Sequence, residues 1–241
     1  IIHKKKNLFD IHLLAAYKKL NLISSQIRKY RPKIYIINDK KTFNIIEKKF
    51  KKSKTLILNN FDSINDKKKI DITVSAIPGI AGLKPTISMI KNSKKILIAN
   101  KESIICGWDL IKKNSLKYKS EIVPVDSEHF SIFQLLKEHK KSEIKNFFIT
   151  ASGGPFLNLK KNKFKNIKPK DALSHPRWSM GKKISVDSAT LMNKILELIE
   201  AQKLFNIPEK KLKIVIHPES LVHAVIELKN GEPMLFARET K

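Results

Sequence analysis

Short β-branched runs alternate with amphipathic stretches through the first half of the chain, and this alternation restricts the available folds more than any other feature. IHLLAAY leads into Lys18 to Tyr30, KIYIIND into Thr42 to Phe50, and TLILNN follows; ITVSAI then leads into Ala81 to Ile90 and on to KILIAN. Strand and helix taking turns in this way predicts βαβ units and a parallel sheet. Such sheets bind ligands beyond the carboxyl ends of their strands, where strand order reverses. KILIAN ends at Asn100, which puts Asn100, Lys101 and Glu102 at that rim, although a plain strand-to-helix turn explains them equally. A nucleotide-binding unit of this kind opens on a strand and a glycine-rich turn. Residues 1 to 8 read instead as the tail of a helix, and with 7 glycines in the chain no other segment supplies the loop.

EIVPVD ends at Asp126, and SEHFSIFQLLKEHK reads as a helix with Ser127 as N-cap. Asp126 and Glu128 stand two apart at this junction, so an extended backbone turns both toward one point. Paired carboxylates of this kind suit a hard divalent cation, while acidic residues at a helix start also favour its dipole. IKNFFITAS is a further strand, followed by Ser152, Gly153, Gly154 and Pro155, either a close approach to a ligand or a simple turn. After a lysine-rich connector, residues 175 to 205 read as a lid and a helix. Leu191, Met192, Ile195, Leu198 and Ile199 recur at helical spacing and are expected to face a core. Glu200, Asn193, Glu197 and Lys194 fill the other arc, either a solvated face with an ion pair or a grip on a phosphorylated, metal-bound ligand. KLKIVIHP, LVHAVIEL and EPMLFAR read as strands, the last two joined by an Asn230–Gly231 hairpin turn. A second α/β region is expected from about residue 121.

The 241 residues suffice for one large core or two modest ones, and 41% hydrophobic content is ordinary for a soluble protein. No apolar run spans a bilayer and no signal peptide is evident, so no membrane partner is expected. The lone Cys106 excludes an internal disulfide, fits a reducing compartment and is expected as a small buried thiol. A net charge of +27 brings nucleic acid to mind. Yet only Arg28, Arg31, Arg177 and Arg238 are arginines, and the lysines are scattered without interleaved aromatics, so the charge reads as compositional drift that still draws small anions.

Four motifs in order, ANKES at 99–103, PVDSEH at 124–129, SGGPF at 152–156 and HPRWSMGKKISVDSATLMNK at 175–194, resemble the 1-deoxy-D-xylulose 5-phosphate reductoisomerase family. The resemblance implies an NADPH-dependent rearrangement and reduction of that sugar phosphate to 2-C-methyl-D-erythritol 4-phosphate in the non-mevalonate isoprenoid pathway. It implies a Mg2+ or Mn2+ site on Asp126, Glu128 and Glu197. Lys101 and Glu128 match positions at the reacting sugar. Ser127, Ser152, His175, Ser188, Asn193 and Lys194 match those holding substrate, mainly its phosphate. Asn100, Glu102 and Gly181 match NADPH positions, while Trp178 and Met180 lie in the family's flap, against substrate and cofactor respectively.

The family's fold then implies an α/β chain: a Rossmann-like parallel sheet lacking its first strand over 1–120, and a catalytic domain with a mixed sheet over 121–241. The family's phosphate loop and C-terminal helical domain are expected to be absent. Its glycine, lysine and asparagine after the second strand align with Tyr17, Lys18 and Lys19, leaving Lys18 and Lys19 as the cofactor-side positions there. Ile195 stands where a glycine is usual and is expected to crowd the helix. A homodimer in a bacterial cytoplasm, or alternatively a plastid, is implied. Two rival readings are a non-catalytic remnant that binds sugar phosphate or a partner, and a basic nucleic-acid-binding module.

Overall fold

A computed structural model of the chain describes residues 8–64, 69–174 and 181–237. His175, Trp178 and Met180 lie outside the described residues, as does the presumed helix tail apart from Leu8. Packing separates two compact units, residues 1–71 with 91–94 and residues 72–90 with 95–241.

The first unit runs β1 (Leu13–Ala16), α1 (Leu20–Tyr30), β2 (Ile34–Ile37), α2 (Lys40–Lys49) and β3 (Leu56–Leu58). The three strands are parallel in the order β1-β2-β3, with Leu13 opposite Ile34 and Ile34 opposite Leu56. β2 is buried throughout, as expected of the central strand of a covered parallel sheet. Ile23 and Ile27 of α1 and Ile46 of α2 close over Tyr35, Ile37 and Ile57. Asp39 caps α2 by accepting from the Thr42 amide at 2.9 Å.

The second unit holds most of β4 (Ile70–Ser75), α3 (Leu83–Asn92) and β5 (Ser93–Ile98), then α4 (Lys101–Tyr118), β6 (Glu121–Pro124) and α5 (Ser127–Glu138). β7 (Ile144–Ala151), α6 (Pro169–Ala172), α7 (Lys182–Ala189), α8 (Met192–Phe205), β8 (Leu212–Ile216), β9 (Val222–Leu228) and β10 (Pro233–Ala237) complete it. One sheet has the order β4-β5-β6, the other β10-β9-β7-β8. The second sheet is mixed, with β7 parallel to β8 and antiparallel to β9. The β9–β10 hairpin turns through Asn230 and Gly231, whose φ of 92° suits a residue without Cβ. Phe147, Ile149, Ala224 and Ile226 of this sheet pack against Ile132 and Leu135 of α5 and Ala201 and Phe205 of α8.

The α/β class, the parallel first half and the mixed second sheet agree with the sequence reading. The parallel strands are shared between two three-stranded sheets. Cys106 is exposed, contrary to expectation, because α4 turns Ser103, Ile104, Gly107 and Ile111 inward and leaves Cys106 outside. Among the described residues no helix is long and apolar enough to cross a membrane.

Candidate metal and substrate site

Parallel pairing sets two strand ends level: Ile98 of β5 stands opposite Pro124 of β6. The chain therefore enters α4 and α5 side by side at one sheet edge, where such sheets bind ligands. Asn100 caps α4 by accepting from the Ser103 amide at 2.5 Å. Its side-chain amide donates to the carbonyls of Ile77 and Gly79, the latter at 2.9 Å. At α5 the N-cap is Asp126, not Ser127: the Asp126 carboxylate accepts from the Glu128 amide at 3.3 Å. Ser127 becomes the first helical residue and its exposed hydroxyl donates to Glu128 Oε2 at 2.6 Å. The displacement follows from geometry, since the extended residue before the first helical turn is the one whose side chain reaches the free amides.

α8 inverts the expected amphipathicity. Leu191, Met192 and Ile195 are exposed, Ile195 at 46%, while Lys194, Glu197 and Glu200 are buried at 7%, 1% and 1%. Ile195 therefore points away from the helix's packed side and crowds nothing there. Only the C-terminal half of α8 behaves conventionally, with Ala201 and Phe205 in the core and Leu198 against it. Charged groups tolerate such burial when they neutralise one another. Lys194 Nζ donates to Glu128 and to Glu197 Oε2, and Asn193 Nδ2 donates to Glu197 Oε1. Lys101, the first residue of α4, donates to Asp126 and lies 3.3 Å from Glu197 and 3.4 Å from Glu200. His129 is fully buried on α5; its Nε2 is 2.9 Å from the Glu197 carbonyl and its Nδ1 is 3.4 Å from Asp126.

The carboxylate oxygens of Asp126, Glu128 and Glu197 converge within 4.8 Å of one another. Burial would lower the Lys101 pKa, but the charges of Asp126, Glu197 and Glu200 outweigh it and hold the ammonium protonated. Burial works against the ionised Asp126 too, yet Lys101 and His129 keep its pKa well below the usual range. His129 also resists its burial and is raised to about 9 by the Asp126 carboxylate beside it. Glu197 is pushed up to about 7, first by burial and then by the negative charges of Asp126 and Glu128. A carboxyl held near neutrality by neighbouring anions gives up its proton to an incoming cation. Hard oxygen donors of this number and spacing fit Mg2+ or Mn2+, with positions left for ligand oxygens.

Next to the carboxylates, Ser152, Gly153, Ser188, Leu191, Asn193 and Lys194 line a cavity of about 10 Å³. The loop after β7 reaches α7 because Gly153 and Gly154 adopt φ of 86° and 69°. A Cβ on Gly154 would stand 2.7 Å from the Ser188 carbonyl oxygen. Gly154→Ala is therefore expected to destabilise the chain by about 2 kcal/mol, from the left-handed backbone plus the clash. Urea denaturation measures this, and Gly231→Ala, with nothing within 4 Å of its Cβ, should lose less. Among the described residues the Asn193 Oδ1 is buried without a hydrogen-bond partner.

The cofactor-side positions divide between the units. In the first, Lys19 caps α1 through its backbone and Lys18 and Tyr17 are exposed. In the second, the Asn100 side chain is committed to its own backbone neighbours, Glu102 lies 3.5 Å from Lys183, and exposed Gly181 begins α7 with nothing within 4 Å of a Cβ. Gly82 packs so tightly on Asn100 that a Cβ there would sit 2.6 Å from its Nδ2. The Asn100 side chain thus ties the rim of the sheet to the backbone at Ile77 and Gly79.

Two members of the cluster go beyond the site residues expected from the sequence: His129 has no role there, and Glu200 stands only on the polar arc of α8. Their signal was available: His129 follows Asp126 by three residues and Glu200 follows Glu197 by three, each one helical turn away on the same face.

Residues 1–107 match the family model for 1-deoxy-D-xylulose 5-phosphate reductoisomerase, and residues 122–205 match that for the enzyme's C-terminal domain. The chain is 50% identical over its whole length to 1-deoxy-D-xylulose 5-phosphate reductoisomerase of Pelagibacter ubique, spanning 63% of that protein. It is 40% identical to the Clostridium botulinum (strain 657) protein of the same name, over 96% of this chain and 61% of that protein. A crystal structure of DOX-P reductoisomerase with NADPH, fosmidomycin and magnesium superposes with a TM-score of 0.87 at 35% identity, covering 98% of this chain and 62% of that one. The Zymomonas mobilis reductoisomerase in complex with NADPH gives 0.86 at 32% identity, covering 100% and 62%.

Proposed function

The chain belongs to the 1-deoxy-D-xylulose 5-phosphate reductoisomerase family, and from that premise we propose that it carries the metal- and substrate-binding core of an NADPH-dependent reductoisomerase. The reaction is the rearrangement of 1-deoxy-D-xylulose 5-phosphate and its reduction to 2-C-methyl-D-erythritol 4-phosphate, a step of non-mevalonate isoprenoid synthesis. The observation that carries this reading is the convergence of Asp126, Glu128 and Glu197, from two separate helices, beside Lys101 and Lys194.

Asp126, Glu128 and Glu197 would hold Mg2+ or Mn2+, which supplies Lewis-acid stabilisation of oxyanion charge when bound. Lys101 Nζ, kept protonated by its carboxylate neighbours, is a hydrogen-bond donor for a substrate oxygen, and Glu128 accepts from a substrate hydroxyl. Lys194, Asn193, Ser188 and Ser152, with Ser127 and His175, would hold the phosphate and sugar away from the bonds that change. That grip offsets the cost of orienting the reacting carbons. The cavity among these residues has room for about one water, so a phosphate enters by opening it. Asn100, Glu102 and Gly181 in the second unit, and Lys18 and Lys19 in the first, match the family's NADPH positions and are assigned to the cofactor on that ground, as Trp178 and Met180 are to the family's flap. In this reading residues 1–120 supply the cofactor side and 121–241 the catalytic side. The relatives are bacterial, and we place the reaction in the cytoplasm with a homodimer as the working assembly.

NADPH oxidation that requires both 1-deoxy-D-xylulose 5-phosphate and a divalent ion is the expected result for the protein at its relatives' full length. For the present chain, Mn2+ and NADPH titrations are the direct test, with micromolar NADPH binding expected. Mn2+ binding without any NADPH binding would instead favour a non-reducing sugar-phosphate binder.

A further inference from the structure

We propose that Glu200 is a positioning residue: it holds the Lys101 ammonium once Asp126 and Glu197 are committed to a divalent cation. This rests on the metal reading above. Glu200 is buried at 1% and is not one of the three carboxylates that converge. It sits one turn beyond Glu197 on the buried face of α8. Its Oε2 lies 3.4 Å from Lys101 Nζ and 3.8 Å from His129 Nδ1, so both of its neighbours of opposite charge are already part of the cluster.

Lys101 faces three carboxylates, Asp126, Glu197 and Glu200. Two of them belong to the convergent trio. A divalent ion there claims their oxygens and repels the ammonium, and the desolvated Lys101 then needs another counter-charge. Glu200 is that counter-charge, outside the convergent trio and already 3.4 Å from Lys101 Nζ. A buried acid that served only α8 packing would have no need of the Lys101 ammonium within 3.4 Å. With Glu200 neutralised, Lys101 can be balanced only by the trio, where it competes with the metal.

The test is a double-mutant cycle on metal affinity, read from free Mn2+ by electron paramagnetic resonance. Glu200→Gln is expected to weaken Mn2+ binding about tenfold in the parent chain but only about twofold in a Lys101→Met background. Equal losses in both backgrounds would mean that Glu200 acts by plain charge or by packing, and would overturn the proposal while leaving the metal site standing. If Glu200→Gln alone does not fold, the Lys101→Met and Lys101→Met/Glu200→Gln pair still decides, because a loss well above twofold between them overturns it. No Mn2+ binding by the parent chain would overturn the metal reading itself, and this proposal with it.

Discussion

Glu197→Gln is expected to lower Mn2+ affinity by at least about a hundredfold, since even residues that merely orient a metal ligand cost 10- to 100-fold when changed. The substitution keeps the side chain's volume and its bond from Asn193 while removing the charge. No buried cation is orphaned by it: Lys194 retains Glu128, and Lys101 retains Asp126 and Glu200. The core end of α8, at Ala201 and Phe205, is untouched, so thermal unfolding should report a folded protein. Undiminished Mn2+ binding by that folded variant would remove Glu197 from the metal site.

Lys194→Met tests the same cluster from the cationic side, and its effect depends on what is bound. Lys194 donates to both Glu128 and Glu197 and is buried at 7%. Without it, Glu128 loses its Lys194 counter-charge and Glu197 is left with Lys101 at 3.3 Å, and breaking a buried pair in this way costs about 3 kcal/mol or more. Mn2+ supplies the missing charge, so the loss in thermal stability should be large in chelator and small at saturating Mn2+. Phosphate binding moves the other way: removing a charged donor should weaken it about tenfold or more, measured by titration with the sugar phosphate in Mn2+. Equal destabilisation with and without Mn2+ would mean that Lys194 contributes packing rather than charge.

The alternation of the first half made the class of fold legible, because a parallel sheet covered by helices leaves both periodicities in the chain. The polar arc of α8 was equally legible as a list of residues. Its direction was not. Of the apolar stripe Leu191, Met192, Ile195, Leu198 and Ile199, Leu198 does pack against the core, but Leu191, Met192 and Ile195 are exposed, so the rule that apolar faces turn inward failed for the first turns of the helix. What reverses it is partner chemistry that no local pattern contains: Asp126 and Glu128 on α5 and Lys101 on α4 lie far away in sequence and meet Lys194, Glu197 and Glu200 only in the fold. Cys106 and the α5 cap failed for smaller reasons. A cysteine's burial depends on which face its helix packs, and a cap on which of two adjacent residues is the last extended one.

The mixed sheet also orders the steps by which the protein forms. Strand β7 finds β8 only after the whole intervening stretch, α6, α7 and α8 included, has been gathered in, for Phe147 pairs with Leu212 and Ala151 with Ile216. Closing so long a loop is entropically slow, and topologies rich in such pairings fold on millisecond to second timescales. The two helices that bear the convergent carboxylates, α5 and α8, lie on opposite sides of β7 in the chain and both pack on its sheet. During synthesis, Asp126 and Glu128 emerge well before Glu197. The carboxylate cluster thus comes together late, after chain collapse, which on the metal reading proposed above favours a folded protein that then captures a cation over a cation that templates the fold.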